Sequence, residues 1–202
     1  MLYTLENEKI KITISNQGAE LHNIKSKVDG IEYLWNRNKR YWGYSAPVLF
    51  PIVGKVNNGS YRVDGKEYNL PQHGLARLKE FEMIKKTDDN IVFELVDSEE
   101  TLKVYPYKFS LKISYTLLEN GVITEYIVEN TDNKMIYFSI GAHPAFMCPI
   151  MPGEIIDDYY FEFNEKENCD IMPINKDGYI KRERKQYLVD NNIIPLSFDL
   201  FK

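Results

Sequence analysis

Apolar residues recur at every second position along most of this chain. Ile10, Ile12 and Ile14 alternate with Lys9, Lys11 and Thr13, and Ile91, Phe93 and Leu95 repeat the pattern. Phe109, Leu111, Ile113, Tyr115 and Leu117 carry it furthest, with Ser110, Lys112, Ser114 and Thr116 facing the other way. A period of two puts each apolar set on one face of a sheet. Ile136, Phe138 and Ile140, and then Tyr159, Phe161 and Phe163, predict two further strands. Val122–Glu129 is apolar on both faces, which predicts a central strand covered on each side. Helical patterning is confined to Ser98–Tyr105, with Ser98 as N-cap, Glu99 and Glu100 near the positive end, and Pro106 as the stop. Between the runs lie Asn57-Asn58-Gly59, Asp64-Gly65, Asp88-Asp89-Asn90, Glu119-Asn120-Gly121 and Asp132-Asn133. These residue types tolerate positive φ and make tight turns. The expectation is an all-β domain over residues 1–202, a large antiparallel β-sandwich joined by short turns.

Composition narrows the partners. With 44% hydrophobic residues the 202-residue chain has apolar surface enough to offset the ordering entropy of folding. Lys plus Arg is 25 against 30 for Asp plus Glu, a net charge of −5, which argues against a nucleic-acid partner needing a clustered positive field. The basic run Lys181–Lys185 is interrupted by Glu183 and reads as solvated. No apolar run approaches the roughly 18 residues of a spanning helix, so no membrane partner is expected. Glu6, Glu8 and Lys9 stand where a signal peptide needs an apolar core, which predicts a cytoplasmic protein. Cys148 and Cys169 form neither a framework nor a metal spacing and read as free thiols.

Three histidines are available for chemistry. His22 lies in a strand-like stretch without special neighbours. His73, in Pro71-Gln72-His73-Gly74-Leu75-Ala76-Arg77, and His143, in Gly141-Ala142-His143-Pro144-Ala145-Phe146, are flanked by Gly or Pro, where regular structure breaks. Loops held by a rigid sheet concentrate binding and catalysis, although two histidines satisfied by backbone partners would look the same in sequence. Two histidines without a third ligand at a recognised spacing do not make a zinc site. Gly54-Lys55 lacks the spacing of a phosphate loop, and Cys148 lacks the strand–elbow–helix context of a nucleophile. Most of the 15 Tyr, 10 Phe and 2 Trp suit strands and cores, with Phe146 and Trp35 the candidates to stack on a sugar face.

Taken in order, several segments resemble the aldose 1-epimerase (galactose mutarotase-like) family, in particular its LacX-like branch. They are Leu49-Phe50-Pro51-Ile52-Val53-Gly54-Lys55, Leu70-Pro71-Gln72-His73-Gly74-Leu75-Ala76-Arg77, Tyr105-Pro106-Tyr107-Lys108-Phe109, and Ser139-Ile140-Gly141-Ala142-His143-Pro144-Ala145-Phe146. The resemblance implies a β-sandwich with a sugar cleft and interconversion of the α and β anomers of a free aldose, with no cofactor and no metal. It implies a hexose substrate such as galactose or glucose, with a hexose phosphate as a further candidate. His143 matches the family's general acid to the ring oxygen, and His73 the histidine that supports charge there. Arg77 matches an arginine at the anionic end of the site. Lys55 stands where many members have arginine, which keeps the charge but loses the bidentate fork. Phe146 would line the sugar.

Opening a hemiacetal needs an acid at the ring oxygen and a base at the anomeric hydroxyl. The family's base is a glutamate in a late Glu-Pro-Trp-x-Gly segment, which residues 1–202 do not contain. The expectation is therefore a chain lacking the family's C-terminal third and weak or inactive by itself, with self-association through uncovered sheet surface. Glu154, Asp157, Asp158 and Asp199 are the candidate substitutes for the base. The alternative is a non-catalytic carbohydrate-binding or regulatory homologue on the same scaffold.

Overall fold

The computed structural model describes residues 1–201 and divides into two compact units, residues 1–147 and the residues from Cys148 onward. In the first unit β1 (Leu2–Glu6), β2 (Ile10–Ser15) and β3 (Leu21–Ser26) form an antiparallel meander. β4 (Val48–Leu49) is short, and β5 (Ser60–Val63) and β6 (Lys66–Asn69) make a hairpin. That hairpin turns at Asp64 (φ 50°) and Gly65 (φ 79°), the positive pair a two-residue turn needs. β7 (Glu82–Lys86), β8 (Asn90–Val96), β9 (Phe109–Leu118) and β10 (Gly121–Asn130) form a four-stranded antiparallel sheet in the order β10-β9-β8-β7. β11 (Gly141–Ala142) pairs with β4. The one α-helical turn of the unit, α1 (Glu99–Leu102), carries a reciprocal cap: Thr101 N donates to Ser98 Oγ (3.2 Å), and Ser98 N to Thr101 Oγ1 (2.8 Å).

The alternating residues close one core. Ile12, Ile14 and Leu21 from the three-stranded sheet meet Ile91, Phe93, Leu111 and Ile113 from the four-stranded sheet in a single buried cluster. The sheets are tied across it by Tyr3 on Phe93 (5.3 Å, edge to face) and by the Tyr115 hydroxyl, which donates to Ala19 O at 2.7 Å. Phe50, fully buried, sits among the rings of Tyr105, Phe109 and Phe138. This is the expected all-β, antiparallel sandwich.

In the second unit β12 (Tyr160–Ile171) and β13 (Lys185–Pro195) pair antiparallel through several register shifts. Their side chains are largely exposed, apart from Leu188. Cys148 and Cys169 are free thiols, as their spacing predicts. Among the described residues no helix is long and apolar enough to cross a membrane.

Three expectations are corrected. The strand predicted over Ile136–Ile140 is absent, and only Gly141–Ala142 is in strand conformation. Its neighbour is Pro51, whose carbonyl accepts from Ser139 N (2.8 Å) but which has no N–H to return, so a ladder cannot propagate. Val122–Glu129 is no central strand: β10 lies at the sheet edge, with Ile123 and Ile127 on its open face. Apolar residues on both faces specify burial demand and leave the hydrogen-bonded neighbours undetermined. The turn at Glu119-Asn120-Gly121 joins β9 to β10 as predicted but without positive φ.

Replacing Phe50 by Ala is expected to cost about 3–5 kcal/mol in urea unfolding, the range for deleting a fully buried aromatic. Ile127→Ala, at a position 48% exposed, is expected to cost less than about 1 kcal/mol. Equal costs would put the outer face of β10 in the core and contradict this packing.

Candidate functional site

The short extended segment Val48–Phe50 decides where both loop histidines lie. On one side Leu49 and Val48 pair with Gly141 and Ala142, and His143 N donates to Pro47 O at 3.3 Å. The next residues are bonded on both flanks: Ala145 N donates to Ser45 O (2.7 Å), Trp35 N to Ala145 O (2.9 Å), and Met147 N to Tyr33 O (2.8 Å). On the other side Phe50 O accepts from Leu75 N (2.9 Å) and Ala76 N (3.2 Å), in a parallel bridge between Phe50 and Gly74. A Cβ on Gly74 (φ +74°) would stand 2.2 Å from Phe50 O, so this approach is open to glycine alone.

The result is that His73 and His143, distant in sequence, face each other edge to face with ring centroids 6.1 Å apart. His73 has φ 66°, a left-handed conformation held by bonds on both sides of its loop. Its N–H donates to Gly54 O (2.7 Å), and its Nδ1 accepts from Gly54 N (3.1 Å). A ring nitrogen accepting from a backbone N–H cannot itself carry a proton, so the neutral ring bears its hydrogen on Nε2. Burial, then the Arg77 guanidinium and then His143, hold its pKa below the ordinary 6.5. His73 is thus held as a neutral ring, with its Nε2 standing 3.3 Å from the Gln72 side-chain amide.

Arg77 lies on the turn after that loop. Its guanidinium stacks over Tyr44 at 5.0 Å and donates through Nη2 to Gln72 O at 2.9 Å. Gly18 (φ +69°) brings another turn onto the Arg77 backbone, where a Cβ would be 3.1 Å from Arg77 Cα. The Tyr44 segment is in turn held by buried Glu20, whose Oε1 accepts from Ser45 N (2.6 Å) and Ala46 N (3.0 Å) and whose Oε2 is 3.5 Å from His22 Nε2. Burial works to raise the Glu20 pKa, but the bonds from His22, Ser45 and Ala46 outweigh it and hold the carboxyl below the ordinary 4.5. His22 is a structural partner of Glu20.

The remaining candidates divide. Lys55 follows Gly54, and its side chain is exposed. Phe146, 60% exposed, lines with His143 a groove of about 300 Å³ beside β10 that does not include His73. Trp35 makes no ring contact with either histidine: its Nε1 donates to Trp42 O (2.8 Å) and its ring meets Tyr41. The aromatic side chains that do reach the site are Trp42, 4.9 Å from His143, and Tyr44 under Arg77. Nothing in the sequence distinguishes Trp42 from Trp35, and both were open to the same reading. Glu154, Asp157, Asp158 and Asp199 belong to the second unit, where Glu154 accepts from the Tyr159 hydroxyl and Asp158 from Ile155 N. Within the first unit the hydrogen bonds and ion pairs bring no carboxylate to either imidazole of the pair, and among the described residues no group of three His, Cys, Asp or Glu could hold a metal. A groove larger than that beside His143, about 480 Å³, is lined by Tyr61, Tyr105, Tyr107 and Tyr137 and contains neither imidazole. Size alone is therefore a poor guide to the chemistry, and the convergent ionisable groups mark the stronger candidate.

Comparison with known proteins is consistent across sequence and structure. The family model described as aldose 1-epimerase matches residues 1–192. The chain is 36% identical over 210 residues to the chromosomal LacX protein of Lactococcus lactis subsp. lactis, covering all of this chain and 70% of LacX. The crystal structure of a galactose mutarotase related enzyme from Lactobacillus acidophilus superposes with TM-score 0.95 at 41% identity, over 100% of this chain and 67% of that one. A galactose mutarotase-like protein from Lactobacillus casei gives TM-score 0.90 at 33% identity, over 99% and 69%.

Two outcomes are expected. Gly74→Ala, strained in φ and in collision with Phe50 O, should destabilise the unit by more than about 3 kcal/mol; a loss under 1 kcal/mol by thermal unfolding would contradict the close approach. In an NMR titration the His73 ring should take up its proton below pH 6.5 and show hydrogen on Nε2 when neutral. As pH falls past 6.5 the unfolded chain binds that proton first, so this residue's contribution to stability declines with acidification. A midpoint at or above 6.5 would remove the neutral-ring assignment.

Proposed function

We propose that this chain, which belongs to the aldose 1-epimerase family, binds a free aldose over the imidazole pair and takes part in the interconversion of its anomers. The observation that carries the reading is the approach of His73 and His143 to 6.1 Å on one surface, with Arg77 beside them. A ring oxygen lying over that gap is within reach of both. His143 supplies a proton to that oxygen as the anomeric hydroxyl gives its own to a base on the opposite side, a place water takes where no carboxylate stands. The bond between the ring oxygen and the anomeric carbon breaks, the open aldehyde turns about its first carbon–carbon bond, and reclosure on the other face returns the proton. His73, neutral, donates through Nε2–H to the same oxygen and steadies the charge that develops there. Arg77 and Lys55 line the polar end, with Arg77 already pre-oriented by Tyr44 and Gln72. Phe146 offers an apolar face beside His143. Galactose and glucose are the first substrates to test, and a hexose phosphate is the natural variant given the two cations.

A second reading has its own support. The reaction needs a base opposite His143, and within the first unit no carboxylate is bonded to the pair. The 202-residue chain would then bind sugar and turn it over weakly. Polarimetry on freshly dissolved α-glucose and α-galactose separates the two. Residues 1–202 are expected to fall short of an intact family member by more than about tenfold, the scale of a lost acid–base group. Galactose should nevertheless perturb the His73 and His143 resonances. A rate within tenfold of the intact relative would refute the missing base, and unperturbed histidines would refute the sugar site.

A further inference from the structure

Trp42 is the unexpected member of the site. Its indole lies 4.9 Å from the His143 imidazole at a tilt of 41°, inside the range over which an aromatic face attracts a cation. The indole is itself fixed. Trp42 N donates to Asn38 O (3.0 Å), Trp42 O accepts from Trp35 Nε1 (2.8 Å), and its ring packs on Tyr44 at 5.8 Å. Trp42 and Tyr44 thus form a short aromatic shelf, Tyr44 under the Arg77 guanidinium and Trp42 against His143.

The groups of the first unit that line the groove with His143 carry no carboxylate, and the Glu20 carboxylate lies behind Tyr115. His73 stands opposite as a neutral ring, with the Arg77 cation behind it. Tyr115 on β9 and Tyr126 on β10 line the groove on the far side, and burial raises both phenols, so they are uncharged at neutral pH. Pro144 and Phe146 complete that wall. The electron-rich ring nearest His143 within the first unit is the Trp42 indole, tilted against it at 4.9 Å.

We propose that Trp42 is the positioning residue of His143, holding its imidazole at the pair and favouring the protonated ring. This rests on the acid role given to His143 above. It divides the labour between two histidines that sequence alone leaves equivalent: a backbone N–H keeps His73 neutral, and an indole keeps His143 supplied with a proton. A Phe at position 42 would preserve part of the effect, because its face attracts cations less strongly, and a Leu would remove it.

The test uses the 202-residue chain without sugar. Protonated imidazole quenches a stacked indole, so Trp emission is expected to fall on acidification as His143 titrates. The pH-dependent component should vanish in His143→Gln and survive in His73→Gln. By NMR, Trp42→Leu should lower the ratio of protonated to neutral His143 at fixed pH by about two- to fivefold, the equivalent of an exposed cation–aromatic contact, while His22 remains unchanged as a control for the fold. Trp42→Phe should fall between, and it carries the test if the Leu variant does not fold. Emission that ignores His143, or a ratio unchanged in both variants, overturns the proposal. A shifted ratio together with galactose that leaves the His143 resonance unperturbed in a separate titration would instead sink the acid role and leave the Trp42 contact standing.

Discussion

The carbonyl of Phe50 is the point on which the rest of the site depends. It accepts from Leu75 and Ala76, and the same short segment pairs through Val48 and Leu49 with Ala142 and Gly141. One buried stretch thereby aligns two loops that are far apart in the chain. Phe50 is held by a cluster of aromatic rings on its side-chain face, and its backbone is approached so closely that Gly74 can carry no side chain. Side-chain packing and backbone hydrogen bonding thus fix the same few atoms from opposite directions, which is how a sandwich core makes a site on loops rigid.

Pairing two identical ring types raises an electrostatic question that the surroundings answer. Two imidazoles 6.1 Å apart would repel if both were charged, and Arg77 adds a third cation nearby. The fold resolves this asymmetrically. Gly54 occupies Nδ1 of His73 with a donor and burial removes the benefit of charge, so one ring is committed to neutrality. His143 is more exposed and rests on an indole. A chemically identical pair thus acquires one ring whose hydrogen bonds and burial favour the neutral form and one in a more open, aromatic setting.

A buried carboxylate supports the arrangement from beneath. Glu20 accepts two backbone N–H groups of the segment that leads from Tyr44 into β4, and it shares its second oxygen with His22. Its charge is sustained by these bonds despite burial. The same segment carries Trp42 and Tyr44, so the aromatic shelf and the central short strand are positioned by one anchor.

Residue order along the chain determined the periodicity-driven part of this protein: the alternating strands of the two main sheets, the capped turn at Ser98–Leu102, the Asp64-Gly65 hairpin, and the two loops that hold His73 and His143. Each of these depends on neighbours within a few positions, where backbone geometry and side-chain type suffice. The tertiary structure alone decided that β10 lies at an edge, that Pro51 denies Ile136–Ile140 a strand, and that Trp42 rather than Trp35 meets a histidine. It also set the two imidazoles in different environments. All of these turn on which atoms become partners across the core, and a local pattern carries no information about partners distant in sequence.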